Sequence, residues 1–166
     1  MKWDQLAKQK CSVGRSVSVL GDRWTLMIIR DCFRGIRRFE DFQRRLGISR
    51  TIIADRLAKL VEEGILSRAP YQDRPVRNEY RLTKKGLALH PMMMAIVHWG
   101  DEHYSDSKGP PLLHRHNACG HIFSPVTTCS ECGETVGARD VEVVAGSKSA
   151  DLFAPAILRP RKRAKK

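Results

Sequence analysis

The stretch RFEDFQRRLGISRTIIADRLAKLVEEGIL, residues 38–66, restricts what this chain can fold into more than any other. Phe39, Phe42 and Leu46 make one apolar face of a short helix. Gly47 supplies a tight stop and Ser49 a good N-cap for the next helix. In that helix Ile53, Leu57, Leu60 and Val61 fall at i, i+4, i+7 and i+8, a single apolar stripe, and Gly64 ends it. Two amphipathic helices joined by a glycine turn predict a helix-turn-helix. The inward stripe leaves Arg50, Thr51, Asp55, Arg56 and Lys59 facing outward. These residue types reach base edges and phosphates from a helix lying in a major groove. Residues at the start of such a helix come nearest the bases, so Arg50 and Thr51 lead the DNA-contact candidates. Arg56 comes next, with Ser49 and Lys59 beside it. Taken alone, the same face also fits a solvated helix surface carrying one Asp55–Lys59 pair.

The following residues decide between the two. ILSRAPYQDRPVRNEYRLT contains two extended runs, Leu66 to Tyr71 and Arg77 to Leu82, around a turn at Gln72 to Pro75. A hairpin tipped by Arg74 and Arg77 directly after a helix-turn-helix reads as a wing, suited to a minor groove or flanking phosphates. Pro75 stiffens the tip and keeps it from pairing with another strand edge. The expected fold is mainly α with a small β wing.

Upstream, Val13, Val17 and Leu20 recur at helical spacing. After Asp22, a possible cap, Trp24, Met27, Ile28 and Cys32 do so again. Downstream, Thr83 caps a helix running through KKGLALHPMMMAIVHWGDEHY, which Pro91 either kinks or restarts. Leu89, Met92, Met93, Ile96, Val97 and Trp99 leave more apolar surface than a small winged domain covers. Met92, Met93, Ile96 and Trp99 are therefore the expected homodimer interface, with the monomer's own core as the alternative.

Composition agrees with an anionic partner: 30 Lys and Arg stand against 18 Asp and Glu, a formal charge of +12. No apolar run approaches the ~20 residues that span a bilayer. The start, MKWDQLAKQK, lacks the apolar stretch of a signal peptide, and 5 cysteines are an odd number. A cytoplasmic, nucleoid-associated protein without structural disulfides is expected. The chain divides into a winged domain (1–106), a linker within SDSKGPP (107–111), a Cys/His module (112–144) and a basic tail (145–166). The tail ends in RPRKRAKK and reads as a disordered arm that grasps phosphates.

HNACGHIFSPVTTCSECG, residues 116–133, looks like a zinc ribbon in which two CxxCG-like knuckles supply four ligands. Cys129 and Cys132 form the second knuckle; His116 and Cys119 form the first, with histidine in place of the leading cysteine. His114 and His121 are rival fourth ligands, and His121 is the more awkward at its spacing. Such a segment is too short to bury a real core, so structural zinc is the expected cofactor. The alternative is a degenerate ribbon without metal. No nucleophile–base pair or second carboxylate supports a catalytic reading, so an enzyme is not expected.

In its order of short motifs the chain closely resembles the HxlR family of bacterial winged-helix regulators, related to MarR-type regulators. The motifs are CSVGR from Cys11, GDRWTLMIIRD (21–31), RFEDF (38–42), GISRTIIADRL (47–57), EEGIL (62–66), PVRNEYRLT (75–83) and WG (99–100). The resemblance covers residues 11–104, and some members carry a C-terminal extension ending like Arg139-Asp140-Val141. It implies a homodimer that binds operator DNA and represses, or sometimes activates, nearby genes. It also implies a response to small molecules, electrophiles or oxidants. Cys11 matches a cysteine that senses redox state or aldehydes in some members, and Lys8, Lys10 and Arg15 nearby favour a thiolate. Burial as a small hydrophobe ahead of an apolar helix face is nevertheless the favoured reading of Cys11, and Cys32 is expected in the core. A protein-interaction module, with the ribbon recruiting a partner and DNA contact secondary, is the alternative function.

Overall fold

A computed structural model describes residues 3–144. The chain separates into two compact units that divide between Leu112 and Leu113. The first unit contains every named helix and strand among the described residues: α1 (Trp3–Ala7), α2 (Ser12–Leu20), α3 (Arg23–Phe33), α4 (Phe39–Leu46) and α5 (Arg50–Glu62), then β1 (Leu66–Asp73), β2 (Val76–Leu82), α6 (Lys84–Leu87) and α7 (His90–Tyr104).

The helices begin and end where local chemistry satisfies their free backbone groups. Asp22 accepts from the amides of Trp24 and Thr25 at the start of α3, and Ser49 accepts from Ile52 at the start of α5. Gly47 closes α4 with φ of 64°, a left-handed conformation that side chains disfavour. Thr83 caps α6. It also donates to the Gly64 carbonyl at 2.6 Å, tying the end of the hairpin to the end of α5. Pro91 stands in the first turn of α7, where its missing N–H costs nothing. It therefore starts a separate helix.

The core gathers one face from each element. Phe42, Ile28, Ile29, Ile53, Leu57 and Leu60 are fully buried, joined by Leu20, Ile65, Leu66, Tyr80 and Met93. Each such side chain contributes roughly 1.5–3 kcal/mol of apolar transfer. β1 and β2 pair antiparallel from Leu66↔Leu82 to Asp73↔Val76, with a register shift between Pro70 and Gln72 at Tyr71. Both strands run closer to the tip than the sequence predicts, leaving Arg74 and Pro75 as the turn. A short third edge completes the wing: Arg38 bridges Glu79, and the Tyr80 amide donates to the Arg37 carbonyl at 2.8 Å.

Asp31 anchors α3 to α4. Its side chain is fully buried; Oδ1 accepts from Arg30 Nη2 at 2.8 Å, and Oδ2 lies 3.6 Å from Arg45 Nε. Among the described residues Oδ2 has no hydrogen-bond partner, so the ion pair with Arg45 is what compensates its burial.

Three expectations need correcting here. The α2 stripe does not all turn inward: Val13 is 70% exposed, while Gly14, Ser18 and Leu20 are buried. Met93 packs into the chain's own core, as does Met94, because both lie on the α7 face toward the core. Met92 is half-buried beside them, so of the four expected interface residues only Ile96 (44%) and Trp99 (55%) remain well exposed. Cys11 is exposed at the head of α2 rather than packed, because it precedes the first helical residue. Cys32 is buried as expected, and burial pushes its thiol up to about 12.

None of the described residues 113–144 is buried. The second unit is organised by two small hairpins, marked by the bridges Arg115↔Ile122 and Thr128↔Thr135. The basic tail expected from residue 145 onward lies outside the described residues.

Candidate nucleic-acid interface

The outward face of α5 is built from its first turn. Arg50 and Thr51 are exposed there, followed by Ala54, Asp55 and Ala58. The two alanines were missed in the sequence because attention to long polar groups passes over them. A small side chain lets a helix approach a groove floor without obstruction, and i, i+4 spacing was the available signal.

Arg50 does not wave free. Its guanidinium carbon sits 4.8 Å from the centre of the Phe39 ring, and Nη1 donates to Gln43 Oε1 at 3.1 Å. Both partners belong to α4, so the turn at Gly47 brings them beneath the start of α5.

Arg56 and Lys59 emerge from the same helix but reach back. Arg56 donates from Nε to Asp22 Oδ1 at 2.8 Å and from Nη2 to Oδ2 at 3.3 Å. This hydrogen bond holds the Asp22 carboxyl below its usual range, against burial, and raises Arg56 in turn. Lys59 donates to the Ser18 carbonyl at 2.8 Å. In the free protein these two cations clasp α5 to the α2–α3 corner.

On the wing, Arg74 and Arg77 are exposed at the tip, and Arg68 and Arg81 lie along the strands. Arg81 is tied to Glu79 through Nε at 2.7 Å. Arg38, a cation the sequence reading passed over, stacks over Tyr71 at 4.4 Å. It precedes α4 and joins the edge of the wing, so the cationic surface runs from helix-turn-helix to hairpin.

The second unit repeats one backbone pattern twice. In 116–121 the Gly120 amide donates to the His116 carbonyl at 2.8 Å, and the His116 amide to the His121 carbonyl at 2.9 Å. In 129–134 the Gly133 amide donates to the Cys129 carbonyl at 2.9 Å, and the Cys129 amide to the Glu134 carbonyl at 2.8 Å. Gly120 and Gly133 have φ of 72° and 75°. His116 therefore stands where Cys129 stands, with its Nδ1 3.3 Å from the Cys119 sulfur. Neither His114 nor His121 occupies that position. The Cys129 thiol is lowered by the backbone amides of Cys132 and Glu131 and by the Cys132 thiol. Donor types and backbone fit a Cys3His zinc set. The side chains are not gathered into one group of three or more among the described residues.

A capped helix with a basic first turn, a glycine-turned helix beneath it and an arginine-tipped hairpin beside it define a winged helix-turn-helix DNA-binding protein. The family model for the HxlR-like helix-turn-helix matches residues 19–108, and the chain belongs to that family. A relative in Mycobacterium tuberculosis strain H37Rv, the uncharacterised HTH-type transcriptional regulator Rv3095, is 45% identical over 130 residues, 78% of this chain and 82% of the relative. The crystal structure of the transcription-factor candidate PA1607 superposes with a TM-score of 0.77 at 32% identity, covering 86% of this chain and 99% of that one. Both matches are too long for the winged unit alone and reach into the second unit. The reduced form of the redox regulator HypR matches at a TM-score of 0.53 and 28% identity, over 55% of this chain and 92% of that one. The chain is a DNA-binding transcriptional regulator. No helix among the described residues is long and apolar enough to cross a membrane.

Proposed function

We propose that this regulator acts as a homodimeric repressor that reads two operator half-sites with the first turn of α5 and steadies itself with the wing. The exposed Arg50–Thr51 turn, capped by Ser49 and flanked by Ala54 and Ala58, carries this reading. Ile96 and Trp99 on α7 supply apolar surface for a second copy. Arg56 and Lys59 support α5 from behind, and Arg74 and Arg77 meet phosphates or the minor groove. Exposed Cys11 receives the signal, a reading supported by the likeness to a redox regulator; a small-molecule inducer is the other input. Arg74→Ala should weaken binding evenly across duplex sequences and lower the slope of log affinity against log salt by about 1. Arg50→Ala should instead relax base preference. Equal, small effects of both in an anisotropy titration count against the assignment.

The second unit needs something to hold it, since none of its described residues is buried in a core. We propose a structural zinc ion bound by Cys119, Cys129, Cys132 and His116, favoured by the matched knuckle backbones. Protein purified under reducing conditions should carry one zinc per chain. Cys11 should then be the one readily alkylated thiol, because Cys32 is buried and the other three are ligands. Metal-free protein with four reactive thiols argues for a ribbon that has lost its ion.

A further inference from the structure

Arg50 is the exposed cation at the start of α5, yet two residues of α4 fix its side chain. The Phe39 ring lies against the guanidinium at 4.8 Å and Gln43 Oε1 accepts from Nη1 at 3.1 Å. The two contacts restrain different freedoms. The ring contact holds the guanidinium over Phe39, and the hydrogen bond limits its rotation there. Arginine carries five N–H donors in a planar fork, and Gln43 engages only one nitrogen of it. Among the described residues nothing else engages it, so the Nε and Nη2 side of the fork is left for an acceptor pair. Arg50 is also exposed, so the restraint does not remove it from a partner.

We propose that Phe39 and Gln43 are positioning residues that set Arg50 as a guanine reader, its remaining donors meeting the O6 and N7 acceptors in the major groove. This rests on the proposed placement of α5 and deepens it by naming the base and the residues that aim the reader. A phosphate contact would not need this arrangement, since a phosphate accepts from many directions and tolerates a mobile arginine. Bidentate recognition of guanine does need it, because both hydrogen bonds must lie in the base plane. Holding the fork beforehand also lowers the conformational entropy lost on binding.

The test is selection from a pool of duplexes with randomised sequence, followed by anisotropy titration of the enriched duplex and its single-base variants. Wild-type protein should enrich guanine at one position in each half-site. Arg50→Lys should lose that preference, because an ammonium cannot replace the planar fork. Gln43→Ala and Phe39→Leu should reduce discrimination at that same position about ten-fold, leaving the other positions and the salt slope unchanged. Gln43→Glu keeps an acceptor for Arg50 and should retain the guanine preference. Circular-dichroism melts of each variant establish that it folds. If Gln43→Ala lowers affinity equally for every duplex, or leaves the guanine preference intact, the positioning role is overturned and the placement of α5 is untouched. If the wild type enriches no sequence, the placement of α5 falls with it.

Discussion

Arg56 grips both oxygens of Asp22, which also caps α3, so one carboxylate serves two elements. Both side chains are about a third exposed, which limits the pair to roughly 1 kcal/mol. Arg56→Ala should lower stability by about that amount and leave base preference largely unchanged. A chemical melt and a duplex-selection experiment on the same protein check both halves. The pH dependence follows from the lowered Asp22 carboxyl. A carboxylate depressed in the fold adds stability above its ordinary value of 3.8, and that contribution disappears as pH falls through the lower folded value. As pH falls below about 4 the wild type should therefore lose stability more steeply than Asp22→Asn. Parallel slopes would show that the pair does not contribute. At this scale sequence reading stops short for a physical reason. Helical phase says where Cβ points, but a long cationic side chain can fold back along its helix. Arg56 and Lys59 were placed on the correct helix without any sign of Asp22 or the Ser18 carbonyl as their partners.

Among the elements, the helix-turn-helix and wing were legible because their signals are local. Glycine at the turn, hydroxyl caps and an apolar stripe all act within a few residues, and Gly47, Ser49, Ile53, Leu57 and Leu60 behave as their pattern predicts. Packing partners were less legible. The burial of Gly14 and Ser18 on α2, or of Met93 on α7, depends on what lies opposite. Gly86 is another such case. A Cβ there would run into the Ile65 carbonyl and approach Leu82 Cδ2 at 2.9 Å, which places α6 directly against the base of the hairpin. Gly86→Ala should destabilise the winged unit by about 1–3 kcal/mol through this overpacking. Thermal and urea unfolding measure it, and an unchanged or higher midpoint would show that α6 can shift at little cost.

For the whole molecule, the balance of +12 and the winged fold agree on a nucleic-acid partner. Charge supplies affinity that salt weakens, while the proposed reading gives sequence preference to the first turn of α5. The two-knuckle pattern, with His116 in the place of Cys129, was visible in the spacing, and the backbone hydrogen bonds at the two sites repeat one another and set His116 apart from His114 and His121. The burial of Met93 in the chain's own core was not legible, since an apolar run on a helix fits a core face and an interface equally. The most direct measurement is anisotropy titration of the wild type and Arg50→Ala against a duplex enriched by the wild type and a scrambled duplex of equal length, at several salt concentrations. The wild type should prefer the enriched duplex by about a thousand-fold or more, and Arg50→Ala should lose most of that preference while keeping its salt-sensitive binding to scrambled DNA. Equal wild-type affinity for both duplexes, or a preference untouched by Arg50→Ala, would contradict the reading of α5 as the element that recognises sequence.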